Sequence, residues 1–377
     1  MRRLFFIAVA NHQQRYFRNL LAHTGLPGQV LTWRGLLRHW RPFVRSGLSA
    51  GEHRIWAEEK IAERRRKGKS VSPWYRWGLH LEQRMAAAAL TRLARAHDGE
   101  LVIGVWNGGH RYHQMARRIL ERGGGQMLYF ENGILPGTTT LDPQGVNYYN
   151  SVPRDPAAFY QRACPGHDHD GVTLVPRAPR CHKGDAIELP ERYWFVPFQD
   201  DRDTQIREHS PWLEDMRALF DALSKHHDGR HPMLVFKEHP SSPIRYPDLH
   251  ERSGPRERFA NGNDTQTLIE DADAVITVNS TVGLEAILLG KPVLVLGRAF
   301  YAIPGLTLSA EGPEELAEAL HRLSDWKPDP VLRRKFLDYL SRDYCVPGSW
   351  REPDRAHWRA VEARVRGYLT ARKTATS

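Results

Sequence analysis

Cysteine is scarce in this chain: Cys164, Cys181 and Cys345 make an odd number at no regular spacing. That excludes a disulfide framework and points to a reducing compartment. Long apolar runs are missing too. The longest near the start, Leu4 to Ala10, is too short to span a bilayer, and no small-residue cleavage site follows it. Neither a transmembrane helix nor a signal peptide is therefore expected. The pattern G-x-x-x-x-G-K-[ST] is absent, and no G-x-G-x-x-G follows the first strand, which removes the usual nucleotide-hydrolase and dinucleotide readings. No zinc-finger or RNA-binding signature is present, so nucleic acid would rest on charge alone. No internal repeat is visible at the residue level.

What is present is ordinary globular material. Hydrophobic residues make up 41% and charged residues 26%, which rules out a disordered or fibrous chain. The 377 residues suggest two domains and are enough to bury large cores. Lys and Arg number 54 against 44 Asp and Glu, a net charge of +10. That surplus fits nucleic acid, an anionic membrane surface or an anionic substrate, and motifs must choose among them. The stretch 34–66 is rich in Trp and Arg and reads as helical. Its end carries Arg64, Arg65, Arg66, Lys67 and Lys69. This cluster is either a solvated helix end or a contact for phosphate groups.

The apolar pattern alternates strand and helix. Residues 3–10 read as a buried strand, and NHQQRYFRNLLAHTG as a helix stopped by Gly25. An Ala- and Leu-rich helix covers 79–96. GELVIGVWNGG, QMARRILERGG and QMLYFENG follow as strand, helix and strand, giving β-α-α-α-β-α-β, the rhythm of a parallel sheet. Between Pro153 and Pro190 the periodicity fades and prolines accumulate, which suggests a linker. A second α/β run then begins: RYWFVPFQ (strand), SPWLEDMRALFDALSKH (helix capped by Ser210), PMLVFKEHP (strand), TQTLIEDA (short helix), DAVITVNS (strand), TVGLEAILLG (helix) and PVLVLG (strand). EGPEELAEALHRLSD is a further helix, and 331–373 reads as helical. The fold class is α/β. Two Rossmann-like domains facing a cleft, with C-terminal helices, fit the glycosyltransferase B architecture. The expected division is 1–190 (linker from about 153), 191–325, and 326–377 as helices packing back on the domains.

In such folds ligands lie beyond the carboxyl ends of the strands, and four segments occupy such ends. Glu131-Asn132-Gly133 follows QMLYF. Gln199, with Asp200, Asp201 and Asp203, follows YWFVPF. Lys237-Glu238-His239-Pro240 follows MLVF. Asn279-Ser280-Thr281 follows DAVITV and opens a helix. Free N–H groups and the helix dipole at Ser280 and Thr281 suit an anion, although plain N-capping explains the same residues. His239 can donate to a phosphate and Lys237 can add a point charge, or both are ordinary loop residues. Glu131 and Asp203 offer carboxylates on different halves; a retaining sugar transfer needs two and an inverting one needs only a base. Loop and turn roles remain the alternative for the Asp residues. HDHD at 167–170 with Cys181 and His182 matches no zinc spacing, so no metal is expected.

Together these segments resemble the bacterial capsule polysaccharide biosynthesis family, which includes retaining β-Kdo (3-deoxy-manno-octulosonic acid) transferases. The carrying stretches are FENGILPGTTTLDPQGVNYYNSVPRDP (130–156), FVPFQDDRDTQIREHS (195–210), VFKEHP (235–240) and TVNSTVGLEAILLGKPVLVLGRAFYAIPGLT (277–307). The acidic-x-glycine, His-Pro and Ser-Thr elements are also similar to CMP-sialic acid transferases. The resemblance implies Glu131 as general acid/base and Asp203 as nucleophile. It implies His239 and Pro240 at the CMP, Ser280 and Thr281 at its phosphate, and Gln199 and Gln205 as polar positions of the Asp203 motif. Lys237 and Asn279, taken from the strand ends themselves, join them on the donor side. His113 matches a histidine after the preceding glycine-rich loop and stands with Asn132 and Gly133 on the acceptor side. Asn132 departs from the family's frequent second acidic residue.

The implied activity is transfer of β-Kdo from CMP-Kdo to a lipid-linked acceptor, a phosphatidylglycerol anchor or Kdo already on it. It would proceed by retaining double displacement in capsule synthesis, without a cofactor. An inverting nucleotide-sugar transferase and a non-catalytic anionic-glycan-binding or export-associated protein are the alternatives. The expected setting is cytoplasmic and peripheral on the inner membrane, against an anionic membrane surface. Other capsule assembly proteins are possible partners, and nucleic acid is not expected.

Overall fold

The structure is a computed structural model and describes residues 2–66, 68–163 and 184–370. The chain divides into two compact units. Met1–Gly133, Gly137–Val146 and Cys345–Ser377 form the first; Ile134–Pro136 and Asn147–Tyr344 form the second.

The first unit begins with β1 (Arg3–Ala8), α1 (Asn11–His23), β2 (Gly28–Thr32), α2 (Trp33–Leu37), α3 (Ala50–Arg66), α4 (Pro73–Ala96), β3 (Leu101–Trp106), α5 (Arg111–Gly123), β4 (Gln126–Asn132) and β5 (Thr138–Asp142). Strands β2, β1, β3 and β4 are parallel in that order, and β5 returns antiparallel beside β4. Along β1 the side chains alternate as a strand requires. Leu4, Phe6 and Ala8 pack with Tyr16, Phe17 and Leu20 of α1. Phe5 and Ile7 pack on the other face with Ala86, Leu90, Met115 and Ile119 of α4 and α5. Both faces are covered, which is why β1 and β3 read as unbroken apolar runs. Strand β2 is absent from the sequence reading. It is an edge strand in which only Leu31 is buried, so GQVLT shows little apolar pattern.

The second unit contains α6 (Ala157–Tyr160), β6 (Tyr193–Pro197), α7 (Thr204–His209), α8 (Met216–His226), β7 (Met233–Lys237), α9 (Pro247–Arg252), β8 (Glu257–Phe259), α10 (Thr265–Glu270), β9 (Ala274–Thr277), α11 (Thr281–Leu288), β10 (Val293–Val295), β11 (Leu308–Ser309), α12 (Pro313–Leu323) and α13 (Pro330–Tyr339). Its six strands are all parallel, ordered β11-β10-β9-β6-β7-β8. One face packs Trp194, Val196, Leu234, Phe236 and Ile276 against Leu219, Phe220 and Leu223 of α8 and Leu316 and Leu320 of α12. Helix α8 does not start at Ser210. Ser210 ends α7, and Asp215 caps α8 by accepting from the Ala218 N–H at 2.8 Å.

The first unit is completed by β12 (Val346–Pro347), antiparallel to β5, and α14 (Arg355–Thr370). Trp358, Val361 and Val365 of α14 join the Leu4, Phe6 and Phe17 cluster. The expected continuous helical segment over 331–373 is therefore interrupted by a π-helical turn at Leu340–Tyr344 and by β12. The units also divide the chain differently from a boundary at 190, for a packing reason. The Phe159 ring meets Phe336 and Tyr339 edge-on at 5.5 and 5.6 Å. Tyr160 donates to Asp329, and Lys335 donates to the carbonyls of Tyr160 and Arg162. These contacts bind residues after 147 to the second sheet's unit.

Candidate functional site

In the first unit the site forms where β3 and β4 end. After Trp106 the chain turns through Asn107 (φ +65°) and Gly108 (φ +88°), conformations that favour Asn and Gly. A Cβ on Gly108 would also lie 2.7 Å from the Tyr129 ring. The Asn107 N–H donates to the Phe130 carbonyl at 2.8 Å, and its Nδ2 donates to Glu131 Oε2 at 2.8 Å. Glu131 Oε1 accepts from both the backbone N–H and the Nδ2 of Asn132, each at 2.8 Å. Three N–H groups thus fix the orientation of one half-buried carboxylate.

Asn132 is itself held. Its Oδ1 accepts from Trp350 Nε1 at 2.7 Å and from the Arg351 guanidinium at 3.3 Å. The Trp350 ring packs on Trp106 at 4.7 Å and near His12 at 5.6 Å, with Arg351 stacked over it at 4.5 Å. Gly133 permits the β4–β5 return, because a Cβ there would fall 1.9 Å from Thr138 Oγ1 and 2.3 Å from the Thr138 carbonyl carbon. His113 lies beneath this surface, 1% exposed. Burial, then the charge of His110, pushes its pKa down to about 3. The carbonyls of Ile7 and Trp106 lie close enough to favour protonation, but neither ring nitrogen has a hydrogen bond of good geometry. His113 packs under the strand ends, where burial favours the neutral imidazole. Asn107, Trp350 and Arg351 escaped the sequence reading. The Asn-Gly pair after β3 was a local signal, whereas the contact from Trp350 spans 218 residues and had none.

In the second unit the order β9-β6-β7 sets three strand ends side by side. Gln199, beyond β6, and Asn279, beyond β9, bond one another through buried amides. Gln199 Nε2 donates to Asn279 Oδ1 at 2.9 Å, and the Asn279 N–H donates to Gln199 Oε1 at 3.1 Å. Asn279 Nδ2 donates to the carbonyls of Gln205 (2.8 Å) and His209 (3.2 Å) in α7. These two amides lock α7 onto the strand ends, and Gln205 takes part through its backbone. Asp203 is the N-cap of α7; its Oδ1 accepts from the Gln205 N–H at 3.0 Å, and the residue is exposed. The neighbouring carboxylates are engaged elsewhere. Asp200 pairs with Arg202, which holds its pKa below the usual carboxylate range. Asp201 accepts from Tyr246 O–H and the Met216 N–H at 2.8 and 2.9 Å, with burial raising its pKa.

Lys237 is 4% exposed, and its ammonium donates to the carbonyls of Asn261 and Asn263. His239 is half-buried with Nδ1 accepting from the Ser241 N–H at 3.3 Å, which puts the neutral ring's proton on Nε2; Pro240 fixes the turn behind it. Ser280 caps α11 by accepting from the Val282 N–H at 3.2 Å, and Thr281 is the first residue of that helix. The Ser280 carbonyl accepts from Tyr301 O–H. Gly283 makes room for that ring, since its Cβ would meet the Tyr301 hydroxyl at 2.5 Å. Among the described residues no three His, Cys, Asp or Glu side chains gather as a metal group. The 167–170 and 181–182 candidates, and Lys67, lie outside the described residues.

Against known proteins, the model of the family described as "Capsule polysaccharide biosynthesis protein" matches residues 172–349. Protein FixF of Sinorhizobium fredii is 37% identical over 76% of this chain and 71% of its own length. The chain belongs to the capsule polysaccharide biosynthesis family. Another relative is the capsule polysaccharide export protein KpsS of Escherichia coli, 28% identical over 60% of this chain and 73% of that one. Among solved structures, the β-Kdo 2,7-transferase of Thermosulfurimonas dismutans KpsC aligns with a TM-score of 0.50 at 17% identity, over 97% of this chain and 99% of that one. The family member thus has the glycosyltransferase B fold, with an all-parallel sheet in the second unit and four parallel strands extended by antiparallel β5 and β12 in the first. No helix among the described residues is long and apolar enough to cross a membrane.

Proposed function

We propose that this protein is a glycosyltransferase of capsule polysaccharide synthesis that moves β-Kdo from CMP-Kdo to a lipid-linked acceptor with retention. The observation that carries the reading is the line of strand ends in the second unit. There His239, the Ser280–Thr281 start of α11 and Asp203 at the start of α7 follow neighbouring strands of one parallel sheet. Helix N-terminal N–H groups and an imidazole N–H suit the phosphate of a nucleoside monophosphate. In this reading the second unit holds the donor, and Gln199 and Asn279 position the site rather than touch the sugar.

The chemistry follows in two steps. A carboxylate oxygen of Asp203 bonds the anomeric carbon as the bond to the CMP phosphate breaks, and CMP leaves with the electron pair. The acceptor hydroxyl then displaces Asp203 while Glu131 takes its proton. The first unit supplies the acceptor side, with Glu131, Asn132 and Gly133 at the strand end and the Trp350–Arg351 pair beside them. Arg351 and His12 suit an anionic acceptor such as a Kdo or a phosphatidylglycerol headgroup. The setting would be the cytoplasmic face of the inner membrane.

One observation favours a second reading. Asp203 already caps α7, a role that needs no nucleophilicity, and this favours an inverting transfer with Glu131 as sole base as the second reading. Asp203→Asn separates the two, because Asn caps a helix as well as Asp does. Retention predicts a folded protein without transfer activity. Near-normal turnover, with inverted product by NMR, would select the second reading. Before either assay, CMP, UDP and GDP are compared for stabilisation of the intact protein. Saturation at about 100 times Kd should add about 2.7 kcal/mol. No shift with CMP removes the donor assignment.

A further inference from the structure

The corner between α3 and α4 carries an unusual surface. Trp74 is 81% exposed, Trp77 63% and Leu81 42%. Their spacing of i, i+3 and i+7 places all three on one stripe of α4. Leu79, Gln83, Ala86 and Ala87 take the helix's buried side. Single exposed apolar residues are ordinary, but two tryptophans and a leucine in one line form a patch.

Cations adjoin this stripe. From Arg64 to Arg84 the sequence has seven Lys and Arg residues and one acidic residue, Glu82. Glu82 is already paired with Arg111 at 2.7 Å. The Arg64 guanidinium lies 4.3 Å over the Tyr75 ring, and its Nε donates to the Ser70 carbonyl at 2.8 Å. Those contacts clamp the basic last turn of α3 against the first turn of α4. Arg65, Arg66 and Lys69 are left exposed at the end of the helix pair where Trp74 and Trp77 begin.

We propose that this corner seats the protein on an anionic lipid surface, with Trp74, Trp77 and Leu81 entering the headgroup layer and Arg65, Arg66 and Lys69 contacting lipid phosphates. Trp rings favour that interface, and Lys and Arg near it are drawn to anionic lipid. A second copy of the chain is a poor occupant, because self-association through this corner would set like charges against each other. The inference stands apart from the donor and the transfer mechanism, and its test uses neither.

Flotation of the full-length protein with vesicles of phosphatidylcholine, alone or with phosphatidylglycerol, measures it directly. Binding is expected to need phosphatidylglycerol and to weaken with salt. The variant W74S/W77S should lose at least about tenfold in partitioning. R65Q/R66Q/K69Q should lose on the order of a hundredfold, roughly fivefold per cation. Both variants should unfold at the wild-type temperature, since the altered side chains are exposed. Brominated lipid should quench wild-type tryptophan emission more than that of W74S/W77S. Equal flotation of wild type and W74S/W77S overturns the proposal. So does a solution dimer that this variant dissociates, or tight nucleic-acid binding that displaces the vesicles.

Discussion

Removing the side chain of Asn279 should loosen the second unit before it affects any ligand. The change Asn279→Ala deletes three hydrogen bonds: one from Gln199 Nε2 and two to the carbonyls of Gln205 and His209. At a net 0.5–1.5 kcal/mol each, the loss is about 3 kcal/mol. Gln199→Ala deletes the shared bond and the one from the Asn279 N–H. The double variant therefore loses less than the sum of the singles. The expected coupling is about 1–2 kcal/mol, the shared bond plus relief of a buried unpaired amide. Because the protein has two units, a single unfolding midpoint is a poor readout. Hydrogen exchange of amides in β6 and β9 reports opening of the second unit alone. CMP affinity is measured in parallel. Additive single variants that keep normal exchange protection but bind CMP tenfold more weakly would refute the reasoning and put these amides on the ligand.

Two further outcomes follow from the first unit. Gly133→Ala places a Cβ within 2.4 Å of three Thr138 atoms, two of them backbone, so the β4–β5 return must open. Hydrogen exchange of the β4 and β5 amides should show roughly 2 kcal/mol or more of lost protection, and unchanged exchange would contradict the geometry. His113 has a folded pKa of about 3 because of burial, below its unfolded value. The unfolded chain therefore binds a proton that the folded chain lacks between about pH 6.5 and 3, and stability falls as pH drops through that window. His113→Leu should flatten the acid side of the first unit's stability curve by up to about 1.4 kcal/mol per pH unit, read from the protection factors of β1 and β3 amides between pH 4 and 7. His110, shifted down to about 4, continues to contribute in the same direction. A slope identical to wild type would mean that His113 is not buried neutral.

Much of the fold was legible because parallel strands covered on both faces leave apolar runs that sequence cannot disguise, as in LFFIA and YWFVP. The four strand-end segments were legible for the same reason, since each directly follows such a run. Edge elements were not. Strand β2 buries one side chain, and β5 is the polar run TTTLD. Helix α7 spans six residues, too few for a periodic signal. The acidic-x-glycine motif told its residue types but not their uses. Gly133 is required by Thr138, and Asn132 holds Glu131 while being held by Trp350. Gln199 and Asn279 read as ligand contacts from their places beyond strands. In the fold their amides face each other, 80 residues apart in sequence, a pairing with no local sequence signal.

The late return of the chain to its first sheet bears on synthesis. Residues 147–344 can collapse as soon as they emerge, because nearly all of the second unit is one continuous stretch. The first unit cannot finish earlier, although its strands appear first. Until α14 is made, Phe6, Phe17 and Phe130 lack Trp358, Val361 and Val365 as cover, and β5 lacks its partner β12. The nascent protein thus carries an open aromatic face and a bare strand edge throughout production of the second unit. A stop codon before residue 345 would accordingly damage the half of the molecule translated first.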